Sequence, residues 1–378
     1  MPDRVEAPRT LDGRVLELDG LRGVAILLVL IWHYVSIDPH VSLKLWALRP
    51  LWSGVDLFFV LSGFLIGGIL IDARQSPRLL GTFYGRRFAR IIPLYALLLG
   101  AYALLIAITR AGYADDASPL VANRLPPYPY LFFLQNFWMA WYDSLGAAFI
   151  SLTWSLAVEE QFYLTLPLVI RAVSNRALIW ICVASIAVAI AMRTMLFLSF
   201  PDLFWPVYVL TPCRMDALML GVLAAIVVRD EHARTIVRRR PDVLWVLAFG
   251  LAALIGYMSR RGWMIGSPQM SIWGYTVLAS FYAVALLLAV TQRGSPFSRA
   301  LRFGPLRRLG GIAYGVYLIH MPALILVNAY LLKALPRQYD LPFGTAALIA
   351  LLVTVVVASL SWRFFERPFV RAAHRLSY

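Results

Sequence analysis

About ten apolar stretches of roughly twenty residues recur along the chain, near positions 20–36, 53–73, 90–109, 149–171, 177–199, 213–229, 242–258, 272–292, 310–332 and 343–364. A helix of that length crosses the hydrocarbon core of a bilayer, and a helix satisfies its own backbone hydrogen bonds there. Such a chain is expected to fold as an all-α integral membrane protein, a polytopic bundle of about ten transmembrane helices. Hydrophobic residues make up 61% of the 378. Soluble domains hold about 45–50%, so no large soluble domain is expected beside the bundle. The expected layout is an N-terminal tail over 1–18, a membrane domain over 19–369 and a C-terminal tail over 370–378. The first apolar run follows about twenty polar residues without a small-residue cleavage pattern, so it is expected to stay as an anchor. No internal repeat is visible, which weakens an inverted-repeat transporter.

The net charge of +15 would suit nucleic acid if it formed a patch. It does not, because the arginines sit in short loops between apolar runs. With the N-terminus inside, 25 of the 35 basic residues fall in cytoplasmic segments, as positive-inside topology requires. Both termini are therefore expected in the cytoplasm, with membrane lipids and no nucleic acid among the partners. Cys182 and Cys213 lack metal-ligand spacing and read as packing residues. In the outer loop near 110–148, the aromatic stretch Tyr128–Tyr142 is short for a span and is expected to be interfacial or re-entrant.

Ionisable residues inside apolar helices carry the functional signal. In the first run Arg22 and His33 are eleven positions apart, which places them on nearly one helical face about 16 Å apart. Alone, such a histidine is either a base or a packed, hydrogen-bonded group. Glu159, in the fourth run, counts to a similar depth, and a histidine and a carboxylate at one depth form a base and its orienting partner if their helices adjoin. The alternative is a buried ion pair joining two helices. Glu160 points about 100° away, towards a polar cavity. Asp56 opens the second run as an N-terminal acid or a site residue; Arg214 and Asp216 open the sixth as an interfacial pair or site residues; His320 lies mid-membrane in the ninth. Arg86, Arg87 and Arg90 share a helical face at the cytoplasmic side. Their planar guanidinia suit phosphate, and ordinary positive-inside charge or lipid headgroups are the alternative.

These motifs in this order resemble the membrane acyltransferase-3 family, from Leu18 to about Phe369. The basic residue, ten residues, then histidine of the first helix fall on Arg22 and His33. Gly-Val-Asp-Leu-Phe-Phe-Val-Leu-Ser-Gly-Phe falls on Gly54–Phe64, and Arg-x-x-Arg on Arg87 and Arg90. Trp-Ser-Leu with Glu-Glu-Gln-Phe-Tyr falls on Trp154–Tyr163. Arg-Met-Asp-Ala at Arg214–Ala217, Tyr-Leu-Ile-His at Tyr317–His320 and Glu-Arg-Pro-Phe at Glu366–Phe369 also resemble the family.

The resemblance implies a multi-pass enzyme of the bacterial inner membrane. It would move an acyl group, most often acetyl, from cytoplasmic acyl-CoA to a hydroxyl of a saccharide or cell-envelope glycan. His33, as general base or as transient carrier of the acyl group, and Glu159, as its orienting partner, are then the expected catalytic residues. Arg22, Arg86, Arg87 and Arg90 would hold the CoA phosphates, and Asp56, Glu160, Arg214, Asp216 and His320 would face the acceptor. The thioester drives the reaction, so no metal and no resident cofactor are expected. A transporter or channel for a sugar or lipid-linked intermediate is the rival reading; it needs the polar cavity and no acyl-CoA.

Overall fold

The computed structural model describes residues 15–36, 45–113, 125–328 and 343–378. The N-terminal tail to residue 14 and the end of the ninth expected span lie outside them. No strand occurs among the described residues.

Among the described residues, ten helices fall in the ten expected spans. They are α1 (Leu16–Ile31), α2 (Gly54–Asp72), α3 (Leu79–Ile108), α4 (Thr153–Ala172) and α5 (Asn175–Ser199). They continue as α6 (Thr211–Arg229), α7 (Pro241–Arg260), α8 (Tyr275–Thr291), α9 (Ala313–Leu326) and α10 (Phe343–Leu360). Most pass as membrane spans by length and apolarity. The exceptions are α4, whose Glu159, Glu160 and Arg171 dilute it, and α9, which joins the short helix Gly304–Gly311 through a 76° bend. The protein is an all-α polytopic membrane protein.

The bundle is organised around α2. In its span 72% of the most apolar stretch is buried, against 17% for α5, so α2 is the hub and α5 turns towards lipid. Glycines set how closely the central helices approach. A Cβ on Gly63 of α2 would come within 1.9 Å of the Leu218 carbonyl oxygen on α6, and one on Gly221 within 2.1 Å of the Val60 oxygen. Membrane helices gain van der Waals contact by such close approach, since apolar burial drives little association in lipid. The same device seats α1: Cβ atoms on Gly20 and Gly310 would meet the carbonyls of Leu301 and Asp19 at 2.0 and 1.9 Å.

The aromatic stretch after α3 is not a span. It forms two short helices, Tyr128–Leu131 and Gln135–Trp141, divided near Phe133, whose φ is +55°. Gln161 Nε2 on α4 donates to the Phe133 carbonyl at 2.7 Å and to Asn136 Oδ1 at 2.9 Å. Trp141, Leu131 and Phe132 stay exposed, as suits an interfacial segment. At the other end, residues near the C-terminus lie on α3: Thr82 Oγ1 donates to the Ser377 carbonyl at 2.9 Å. Both cysteines are buried and free.

Candidate active site

His33 lies where α1 widens into a π turn, Trp32–Ser36. Such turns are rare and concentrate at functional sites. The half-buried His33 ring places Nδ1 2.9 Å from the Val29 carbonyl oxygen. A carbonyl only accepts, so Nδ1 carries the hydrogen. In the neutral ring Nε2 then keeps a lone pair, the form a general base needs. His320 of α9, fully buried, stands against it: the ring centroids are 5.0 Å apart and cross at 64°, and His320 Nε2 is 3.4 Å from His33 Nδ1. The Tyr34 hydroxyl lies 3.0 Å from the His320 carbonyl and 2.9 Å from Thr354 Oγ1, tying α1 to α9 and α10. Tyr317 meets Ser155 Oγ at 2.6 Å and ties α9 to α4.

Glu159 is elsewhere. It accepts a hydrogen bond from Ser62, in the middle of α2, and the Tyr163 hydroxyl donates to Ser62 Oγ at 3.0 Å. The cations whose charge acts on Glu159 are Arg87 and Arg22. No hydrogen bond joins Glu159 to His33 among the described residues. The depths differ for a physical reason. A Cβ on Gly54, the first residue of α2, would touch Ala25, Leu28 and Val29, so His33 in the closing turn of α1 stands beyond the start of α2. Ser62 is eight residues, about 12 Å, further into α2. Glu159 is thus level with Arg22, not with His33.

The arginine side forms its own tier. Arg87 stacks 5.4 Å over the Tyr163 ring, and Arg90 lies 4.8 Å over Trp362 and 5.8 Å over Tyr314. Arg86 turns outward, donating to the Leu376 carbonyl and stacking 4.9 Å over Tyr378. Arg22 is 3.6 Å from Asp19. Glu160 keeps a buried Oε1 without a hydrogen-bond partner among the described residues, in electrostatic contact with Glu159 and Arg87.

The third group joins α2, α5, α6 and α8. Arg214 and Asp216 do not pair with each other. Two residues apart on a helix they point about 200° apart, and each finds another partner. Arg214 Nη2 bonds Asp56 Oδ1 at 2.5 Å beneath Tyr275, whose ring centroid is 4.4 Å away. Asp216 meets Arg193 at 3.0 Å and accepts from Thr276 Oγ1 at 2.6 Å. Arg193 also donates to the Ser271 carbonyl at 2.9 Å. All four charged side chains are at most 1% exposed. Sequence reasoning missed Arg193, although an arginine inside an apolar run is itself the signal of a buried partner.

A helical membrane bundle with a histidine pair at one level and an arginine tier at another has groups of the kind that group-transfer chemistry uses. The sequence profile of the acyltransferase domain (Acyl_transf_3) matches residues 15–363, so the chain belongs to the acyltransferase-3 family. It is 28% identical over 370 residues to the peptidoglycan O-acetyltransferase OatA of Listeria monocytogenes, covering 94% of this chain and 55% of that protein. It is 26% identical over 387 residues to the O-acetyltransferase OatA of Staphylococcus aureus, covering 97% and 58%. The putative peptidoglycan O-acetyltransferase YrhL of Bacillus subtilis is 27% identical over 371 residues, covering 93% and 54%. The chain thus spans about half the length of these relatives. No solved structure matches it.

Proposed function

We propose that this enzyme moves an acyl group, most simply acetyl, from acyl-CoA held on the arginine side to a hydroxyl of a cell-envelope glycan on the other side of a bacterial plasma membrane. The observation that carries this reading is the separation of two tiers on one helix. Arg22 sits about 16 Å along α1 from His33, a gap that the extended pantetheine arm of CoA can cross, and the charges of Arg22 and Arg87 act on the same carboxylate, Glu159. The positive-inside excess supports a cytoplasmic arginine tier, on the side where acyl-CoA is made. The glycan acceptor rests on the relatives, two of them named for peptidoglycan.

In the reaction, His33 Nε2 takes the proton of the acceptor hydroxyl as its oxygen attacks the thioester carbonyl carbon. The C–S bond breaks, and the imidazolium returns the proton to the departing thiolate. The oxygen ester and free CoA are the products. Nothing else is consumed.

The test is transfer of label from acetyl-CoA into alkali-labile ester on a glycan fraction, in membranes holding the protein. Label that appears only when the protein is present is the expected result. Glycan that takes no label from acetyl-, succinyl- or longer acyl-CoA overturns the reading, and sugar flux without CoA release would replace it with transport.

Arg87→Ala is expected to raise KM for acyl-CoA by about 10–100-fold, the equivalent of one charge-assisted hydrogen bond to phosphate at about 1.5–3 kcal/mol, with kcat changed far less. Glu159 sits with the arginines, so Glu159→Gln is expected to act in the same direction: a higher donor KM rather than loss of turnover. Initial rates over a range of acyl-CoA concentrations separate the two. A collapse of kcat in Glu159→Gln at unchanged KM would return Glu159 to the chemical step.

A further inference from the structure

We propose that His320 is a positioning residue that fixes which nitrogen of His33 bears the proton; the proposal rests on His33 being the base. A neutral imidazole has one N–H. In His320 that hydrogen is committed, because Nδ1 lies 2.7 Å from the Tyr317 carbonyl and 3.3 Å from that of Val316, and both can only accept. His320 Nε2 therefore presents a lone pair, and the atom it faces is His33 Nδ1 at 3.4 Å. His33 Nδ1 then has two acceptors, this lone pair and the Val29 oxygen at 2.9 Å.

Moving the His33 hydrogen to Nε2 would leave three electron-rich atoms facing one another at those distances. Both neighbours hold the hydrogen on Nδ1 and so keep the Nε2 lone pair free. They also stabilise the charge that the His33 ring acquires once it takes a proton. In a serine-histidine-aspartate arrangement a carboxylate does this. Inside a bilayer an unpaired carboxylate is costly, and a neutral imidazole fills the place without a charge.

The backbone of His320 is held too. The Tyr34 hydroxyl donates to its carbonyl at 3.0 Å, so consecutive residues of the π turn grip one residue of α9 by side chain and by main chain. His320 itself is fully buried. In this neutral form its single N–H is spent, which assigns it to His33 rather than to the acceptor expected from the sequence.

The experiment is nitrogen-15 NMR of histidine-labelled full chain in lipid nanodiscs, alongside kinetics. The His33 signal among the five histidines is the one that His33→Ala removes. In the wild type it should report a hydrogen on Nδ1 and a bare Nε2. His320→Leu should give a mixture of the two His33 tautomers and a kcat lower by about 10²-fold, with donor KM within about twofold. His320→Gln, whose amide oxygen can accept in the same place, should keep the His33 tautomer and restore most of kcat. His320→Phe serves if the leucine variant does not insert. An unchanged His33 tautomer in the leucine or phenylalanine variant overturns the proposal at any level of activity. So does an equal loss of kcat in the glutamine and leucine variants. A wild type that shows the tautomer contact and transfers no acyl group would instead count against the acyltransfer reading.

Discussion

Replacing His33 with alanine is expected to lower acyl transfer by about 10²–10⁴-fold, the usual contribution of a positioned general base, while the protein still inserts. The ring is half-buried and shares its tier with His320, Tyr34 and Thr354, which hold α1, α9 and α10 together through Tyr34 without it. Packing should therefore survive its loss. Arg22, proposed to bind the donor, lies about 16 Å away along α1, so KM for acyl-CoA should hardly move. Label transfer at matched membrane levels measures both quantities. A rate within twofold of the wild type would exclude His33 as the base.

Asp56→Ala is expected to destabilise the bundle by about 3–5 kcal/mol, because it leaves the Arg214 guanidinium buried without its counter-charge. Arg214→Met should cost a comparable amount by stranding Asp56. The double variant should be more stable than the sum of the two losses implies, since neither charge is left behind. The intact pair need not be strongly stabilising in itself. Desolvating two ions consumes much of what their attraction returns, and the larger effect is that α2 and α6 can meet in one register only. Unfolding of the purified protein in mild detergent against denaturant gives all three values. Strictly additive losses would mean that the 2.5 Å contact carries no coupling.

Much of the fold was legible. Runs of apolar residues mark each helix directly, because the bilayer admits little else. That the 128–142 segment is not a span followed from its length and aromatic content; its division into two short helices did not. The site was legible residue by residue but not in its pairings. Arg22, His33, Glu159 and His320 stand out as ionisable groups in apolar runs, yet who meets whom depends on how far each helix is displaced along its axis. Counting from helix ends treats those ends as level. α2 starts a turn or more below the closing π turn of α1, which separates Glu159 from His33 and leaves His33 beside His320. Arg193 went unnoticed because its helix is otherwise the most lipid-facing of the central set. Arg86, four residues before Arg90, was expected on one face with Arg87 and Arg90; the backbone near residue 376 takes it instead.

The contact between His33 and His320 joins positions 287 residues apart. A ribosome adding about 5–20 residues per second makes the second partner roughly 15–60 s after the first. For nearly all of that interval α1 also lacks Leu301 and Leu306, on whose backbone Gly20 and Gly23 rest. Under the roles proposed for His33 and His320, the nascent protein therefore lacks its oriented histidine pair for most of its synthesis, and the pair can form only once α9 is made.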